Sequence, residues 1–243
     1  MCGRVLGALI VLSVVALLGV GCGSKKKNQA VVARTASPTP VVTPQELLDT
    51  AKATLNADRA FHFVLTHENG TTPIAEGINM RQAEGDIVKP DRFKATVQGT
   101  ILAGQTVNVK VINVGDKVWL NIFGNTWTPL PNGVGAAQIL DPSNGVLKAV
   151  SGAKNPRIVT QETINGVATT EVAGTIDAGD LTALDQQAQA GKMVQGKIWI
   201  GNADHQVYRI RLEGPLNDQE PANIARQIDL SNFNETVDIQ PPS

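Results

Sequence analysis

After Cys22 the chain contains no cysteine; its only two, Cys2 and Cys22, stand near the beginning. Everything that follows therefore lacks a disulfide framework, a thiolate zinc site and a cysteine nucleophile. Histidine is scarce too. His62, His67 and His205 are not spaced as HExxH or HxxxH, so a metal site would have to be assembled from distant residues. Neither sign of charge is in excess, with 21 Lys and Arg against 22 Asp and Glu. That balance argues against a nucleic-acid partner, which calls for a basic face. The G-x-S-x-G elbow and the Walker loop are both missing. Gly133-Val134-Gly135 begins like a dinucleotide fingerprint, but Gln138 replaces the third small residue and no strand–turn–helix frames it. Glu84 and Asp86 flank Gly85 and share one face of a strand. An acid/base pair is conceivable there, although a solvated strand edge is the commoner meaning of such spacing. No catalytic residue, metal or cofactor is assigned, and an enzyme is not expected.

What is present begins with an export signal. Arg4 precedes an uncharged apolar stretch at 5–18, followed by Gly19-Val20-Gly21-Cys22. A basic start, an apolar middle and small residues at the end make a secretory signal at 1–21. Small residues directly before a cysteine resemble the bacterial lipobox, which makes Cys22 the candidate lipidation site. Val20 and Gly21 fit that pattern; Gly19 departs from it, because Leu18 lies one place too early. A plain membrane anchor is the alternative, for a stretch somewhat shorter than the ~20 residues of a span. Residues 22–42, with Lys25-Lys26-Lys27 and Ala36-Ser37-Pro38-Thr39-Pro40, read as a flexible tether. The expected location is the extracytoplasmic face of the cell membrane, and residues 43–243 form the folded domain.

That domain opens with Thr43-Pro44-Gln45-Glu46, a capping box with proline at the first helical position. Leu47, Leu48, Ala51 and Leu55 then recur on one face. From residue 60 the period becomes two. Phe61, Phe63 and Leu65 alternate with His62, Val64 and Thr66; Val107, Val109 and Val111 alternate with Asn108 and Lys110; Tyr208, Ile210 and Leu212 alternate with Arg209 and Arg211. Residues 222–231 keep Ile224, Ile228 and Leu230 on one parity. Such alternation marks half-buried antiparallel strands, about ten of them. Asn69-Gly70, Gly115-Asp116, Asn165-Gly166 and Asn202-Ala203-Asp204 supply turns, and Asn165-Gly166 is a two-residue hairpin signal. Two stretches break the pattern. Residues 135–150 read as two short helices split at Asp141-Pro142, the second capped by Asp141 or Ser143. Residues 181–190 read as a Gln/Ala-rich helix capped by Asp180 and closed by Gly191. The class is α+β. His62 reads as a surface residue, His67 and His205 as solvated ones beside turns, and Trp119, Trp127 and Trp199 as packing residues or walls of a pocket.

Several pieces in order resemble a known family. They are Ala60-Phe61-His62-Phe63, Ala83-Glu84-Gly85-Asp86-Ile87 with Pro90-Asp91, and Val114-Gly115-Asp116. Ile139-Leu140-Asp141-Pro142, Gly145-Val146-Leu147, Ile198-Trp199-Ile200, Arg211-Leu212-Glu213-Gly214 and Leu230-Ser231-Asn232-Phe233 follow. Across about residues 43–240 the series is similar to the LppX/LprA/LprF/LprG lipoproteins of bacteria. The resemblance implies a fold like the carriers LolA and LolB. In that fold a curved antiparallel half-barrel, here of about ten or eleven strands, has helices over its concave face and an apolar cavity between. It also implies acylated lipids or glycolipids as ligand, carriage within the cell envelope, and an inner-membrane transporter as a possible partner.

Physics asks for the same container. Acyl chains gain ~0.8 kcal/mol per buried CH₂, so a lipid crossing water needs an enclosed apolar space. The expected lining is the inward set of strands and insert: Phe63, Leu65, Val97, Val109, Val111, Leu120, Ile139, Leu140, Leu147 and Ile210. A filled core demands the same alternation. The competing function is accordingly a non-enzymatic envelope module, structural or signalling, that binds a protein partner and keeps a solid interior.

Overall fold

Thr43 starts the first helix as its chemistry requires. Its hydroxyl accepts the Glu46 N–H at 3.2 Å while the Glu46 carboxylate accepts the Thr43 N–H at 2.8 Å. Helix α1 (Pro44–Ala57) buries Leu48, Ala51 and Leu55 completely. At its other end the Lys89 ammonium donates to the carbonyls of Leu55 and Asn56, placing a cation where the helix dipole favours one. In this computed structural model residues 42–243 are described, apart from 76, 102–103, 123, 125, 132 and 142–144. The expected signal, Cys22 and all of the tether but Val42 lie outside the described residues, as does the Ser143 cap.

The strands are β1 (Ala60–Glu68), β2 (Thr72–Ala75), β3 (Ile78–Val88), β4 (Arg92–Ile101), β5 (Thr106–Val114) and β6 (Lys117–Asn121). They continue as β7 (Thr128–Pro129), β8 (Lys154–Ile164), β9 (Val167–Asp177), β10 (Met193–Gly201), β11 (Val207–Glu213) and β12 (Ala225–Ser231). They form one 12-stranded antiparallel sheet in the order β7-β6-β5-β4-β3-β1-β12-β11-β10-β9-β8, with β2 paired to β3 beside that path. The sheet is open: β8 and β7 are its two ends. Asn165 and Gly166, both with positive φ (49° and 85°), turn β8 into β9, as a two-residue primed turn requires.

Register sets the faces. Phe63 pairs with Leu230, Leu65 with Ile228 and His67 with Arg226, and this parity faces the interior. The other parity faces out and is laced with charge pairs: His62 and Lys94 with Asp86, Arg211 with Glu68 and Glu213, Arg209 with Asp229. Trp199 also lies on that outer side, donating its indole N–H to Glu162 beneath the Arg209 guanidinium.

The interior face is covered unequally. Helix α1 packs on α3 (Val146–Ser151), β8 and β11, while the one-turn α2 (Ala136–Ile139) reaches β4. Under α1 and α3 the wall is large and aliphatic, with Ile176, Ile198, Ile210 and Leu212 all fully buried. The N-cap of α3 is Gly145 and offers no side-chain bond, so Asp141 does not occupy the capping position expected of it.

Residues 181–190 are not an α-helix. A 3-10 turn at Ala178–Leu181 is capped by Asp177, and successive turns follow. The reason is closure. Asp177 pairs with Met193 across β9 and β10, and its carboxylate accepts the N–H of both Gly179 (3.0 Å) and Gly191 (2.9 Å). An excursion tied at both ends has no room for a straight helix of ~15 Å.

Candidate binding cavity

The sheet half that α1 and α3 do not cover is hollow. Between β1, β3–β6 and β12 on one side, and α2 with its flanking loops, the first residue of α3 and the segment 183–187 on the other, lies a cavity of about 680 Å³, within the range of ligand sites. Small inward side chains leave that space. Ala83 faces Val97 across β3 and β4, Ala95 follows on β4, and Val111 on β5. Aromatic and aliphatic groups complete the wall: Phe61, Phe63 and Leu65 from β1, Phe93 from β4, Leu120 from β6, and Ile228 and Leu230 from β12.

Of the ten residues expected at this wall, six are there: Phe63, Leu65, Val97, Val111, Leu120 and Ile139. The other four are elsewhere. Val109 is fully buried in the core, and Leu140, Leu147 and Ile210 are likewise core residues away from the wall. Leu147 on α3 and Ile210 on β11 belong to the filled half of the interior. None of Trp119, Trp127 and Trp199 lines this cavity. Residues the sequence reading passed over include Ile74, Met80, Leu130 and the segment 183–187. The small inward residues at 83 and 95 were the available signal for hollowness.

Among the described residues the wall is polar in one place. Thr72, Asp185, Gln186 and Gln187 are its polar members, and Gln186 and Gln187 are exposed at the rim with Pro73 and Pro131. Asp185 is 3% exposed. Its carboxylate accepts the Gln187 N–H (2.8 Å) and the Asn217 side-chain N–H (2.9 Å). Next to it lies a buried cluster. His67 is not solvated: inward parity carries it under β2, where Nδ1 donates to the Arg81 carbonyl (3.1 Å) and Nε2 accepts from the Thr72 hydroxyl (2.8 Å). Burial, and secondarily the Arg226 charge, push its pKa down to about 4, so it is neutral at physiological pH. Arg226, 1% exposed, is paired with Glu220.

On the outer face His62 bonds Asp86 (2.8 Å) and lies 3.5 Å from Glu84. Lys94 lies 3.4 Å from Asp86 on the same face, so both carboxylates at 84 and 86 sit in an outward-facing polar cluster. Among the described residues no group of three or more His, Cys, Asp or Glu is arranged to hold a metal. No described helix is long and apolar enough to cross a membrane.

Known proteins share this architecture. The LppX_LprAFG lipoprotein pattern matches residues 43–239. The lipoarabinomannan carrier protein LprG of Mycobacterium tuberculosis is 25% identical over 244 residues, covering 98% of this chain and 95% of its own. The putative diacylated glycolipid transporter LprF of the same species is 28% identical, with coverage of 97% and 90%. Among solved structures, LprF of Mycobacterium bovis superposes with a TM-score of 0.65 at 20% identity, over 82% of this chain and 97% of that one. LppX of M. tuberculosis gives 0.59 at 22% identity, over 81% and 98%. These superpositions establish a shared fold.

Proposed function

Because the chain belongs to the LppX_LprAFG lipoprotein family, we propose that it binds the acyl chains of a lipid or glycolipid in the hollow half of its sheet and carries that lipid within the cell envelope. The carrying observation is the cavity of about 680 Å³ with a mostly apolar wall. Apolar side chains facing such a hollow gain when an acyl chain covers them instead of water. Relatives named as a lipoarabinomannan carrier and a diacylated glycolipid transporter support the same ligand class. Phe63, Leu65, Val97, Val111, Leu120 and Ile139 are the proposed contacts for the acyl chains. Binding of this kind needs burial alone, so no catalytic residue is invoked. A partner-binding module with a solid core accounts poorly for the hollow.

The anchor completes the reading. Export through the signal at 1–21, lipidation at Cys22 and a tether to residue 42 would hold the domain on the extracytoplasmic face of the membrane. There it could collect lipid from an inner-membrane transporter.

The test is a filled cavity. Val111 faces the hollow, and Val111→Trp should lower lipid loading by about tenfold, the cost of overpacking by 1–3 kcal/mol being transferred to the ligand. Mass spectrometry of lipid extracted from the membrane-expressed full chain reads the loading, and circular dichroism checks the fold. A folded Val111→Trp protein carrying as much lipid as the parent overturns the assignment.

A further inference from the structure

The outer face of the sheet carries a second depression, a groove of about 540 Å³. Register explains its shape. Two cross-strand rungs point outward over β3, β4 and β5: Asp86–Lys94–Ile112, continued by His62 on β1, and Glu84–Thr96–Lys110. The rung between them, Gly85–Ala95–Val111, has the inward parity, so its backbone floors the groove. The half-buried Trp127 lines it as well.

The two walls differ in how their charges are used. On the first, Asp86 holds both His62 (2.8 Å) and Lys94 (3.4 Å). On the second, a carboxylate and an ammonium stand apart with only Thr96 between them. The Glu84 side chain is 58% exposed and reaches no cation but the His62 ring, at 3.5 Å. Lys110 is exposed and has no ion pair among the described residues. Elsewhere in the sheet such charges meet: every charged residue of β10, β11 and β12 is in an ion pair.

Strands are spaced ~4.8 Å apart, which sets the Glu84 and Lys110 Cα atoms ~10 Å apart on one side of the groove. A ligand that brings an ammonium to Glu84 and a carboxylate to Lys110 matches both charges at once, in charge-assisted hydrogen bonds. Extended peptide covers ~3.4 Å per residue, so about three residues bridge that gap. Trp127 and Ile112 offer apolar surface to the side chains between the charged ends. An uncharged glycan would leave both charges unmatched. A phosphate would suit Lys110 and meet a like charge at Glu84.

We propose that the outer groove binds a short zwitterionic peptide of about three residues, its amino end at Glu84 and its carboxylate at Lys110. The site lies on the opposite face of the sheet from the lipid cavity and does not depend on the carrier reading.

Four soluble probes decide it: trialanine, N-acetyl-trialanine, trialanine amide and maltotriose. Each is titrated against the full chain in detergent micelles and followed by the indole N–H resonance of Trp127. Trialanine should bind about tenfold more tightly than either capped form, each of which lacks one charged contact. In Lys110→Gln the acid and its amide should bind alike while the preference for a free amine remains. In Glu84→Gln the pattern should reverse. Both side chains are exposed, and the ranking of the probes on the parent protein is a test without any variant. Equal affinity for trialanine and its capped forms, or no binding of any probe, overturns the proposal. Maltotriose binding as well as trialanine assigns the groove to a neutral glycan and overturns it too. Lipid loading should stay at the parent level in both variants; its loss would tie the groove to the cavity and overturn the separate site.

Discussion

His67 is a base kept from its proton by where it sits. Burial is the larger cause and the neighbouring Arg226 guanidinium the second, and together they bring its pKa from 6.5 to about 4. In the unfolded chain the imidazole binds a proton near pH 6.5; in the native state it waits until about 4. Between those values the unfolded state holds more protons, so stability must fall as the pH drops through the window. The full loss is on the order of 3 kcal/mol. Urea unfolding at pH 7 and pH 4.5 should show most of it, and His67→Gln should flatten the difference. Glu171 works in the opposite direction, because burial raises its pKa, and so it binds its proton sooner when folded; comparing parent and variant cancels it. An identical acid loss in His67→Gln would assign the effect elsewhere. That His67 lies inside was open to the strand parity, since it follows Phe63 and Leu65 by twos. The nearby Asn69-Gly70 turn suggested solvent instead, and what decides is that β2 folds back so that the Thr72 hydroxyl meets Nε2.

Gly85 shows how an element can depend on a missing side chain. A Cβ there would lie 2.0 Å from the Lys94 carbonyl oxygen and 2.7 Å from the Ala95 Cα. Both are backbone atoms of the adjoining strand and cannot rotate away. Gly85→Ala should therefore push β3 from β4, at a cost of ~1–3 kcal/mol or more, seen as a lower urea midpoint. An unchanged midpoint would mean that the strands part without penalty. At this scale the sequence was most readable where the cause is local. The capping box at Thr43, the Asn165-Gly166 turn and the alternation of β1, β5 and β11 each depend on a few neighbouring residues, and each is present in the structure. The loop from 178 to 192 was misread because its shape is imposed by the pairing of Asp177 with Met193, which no helical propensity reveals. The wall was readable in part. Alternation put Val97 and Ile210 alike on the inside, yet only which half α1 and α3 cover determines that Val97 meets space and Ile210 meets side chains.

At the scale of the molecule the open sheet must manage two edges and a void. The β7 edge is two residues long. The β8 edge is long and exposed, but irregularities in its pairing near Lys154–Arg157 and Ile158–Thr160 and a proline at 156 interrupt it, which is how edges are kept from templating other chains. The void has a thermodynamic consequence. A ligand that binds the folded chain and not the unfolded one stabilises it by RT ln(1 + [L]/Kd), about 2.7 kcal/mol at a hundredfold excess over Kd. For a domain of this size that corresponds to a rise in Tm of roughly 5–10 °C. Calorimetry of the delipidated full chain should show this rise as galactolipid is added, with the midpoint still climbing with concentration after the site is saturated. Val111→Trp should shift the starting Tm and then show little further change, because its cavity is already occupied from within. Equal upward shifts in both proteins would place the lipid on the outside of the sheet and remove the reason for the hollow.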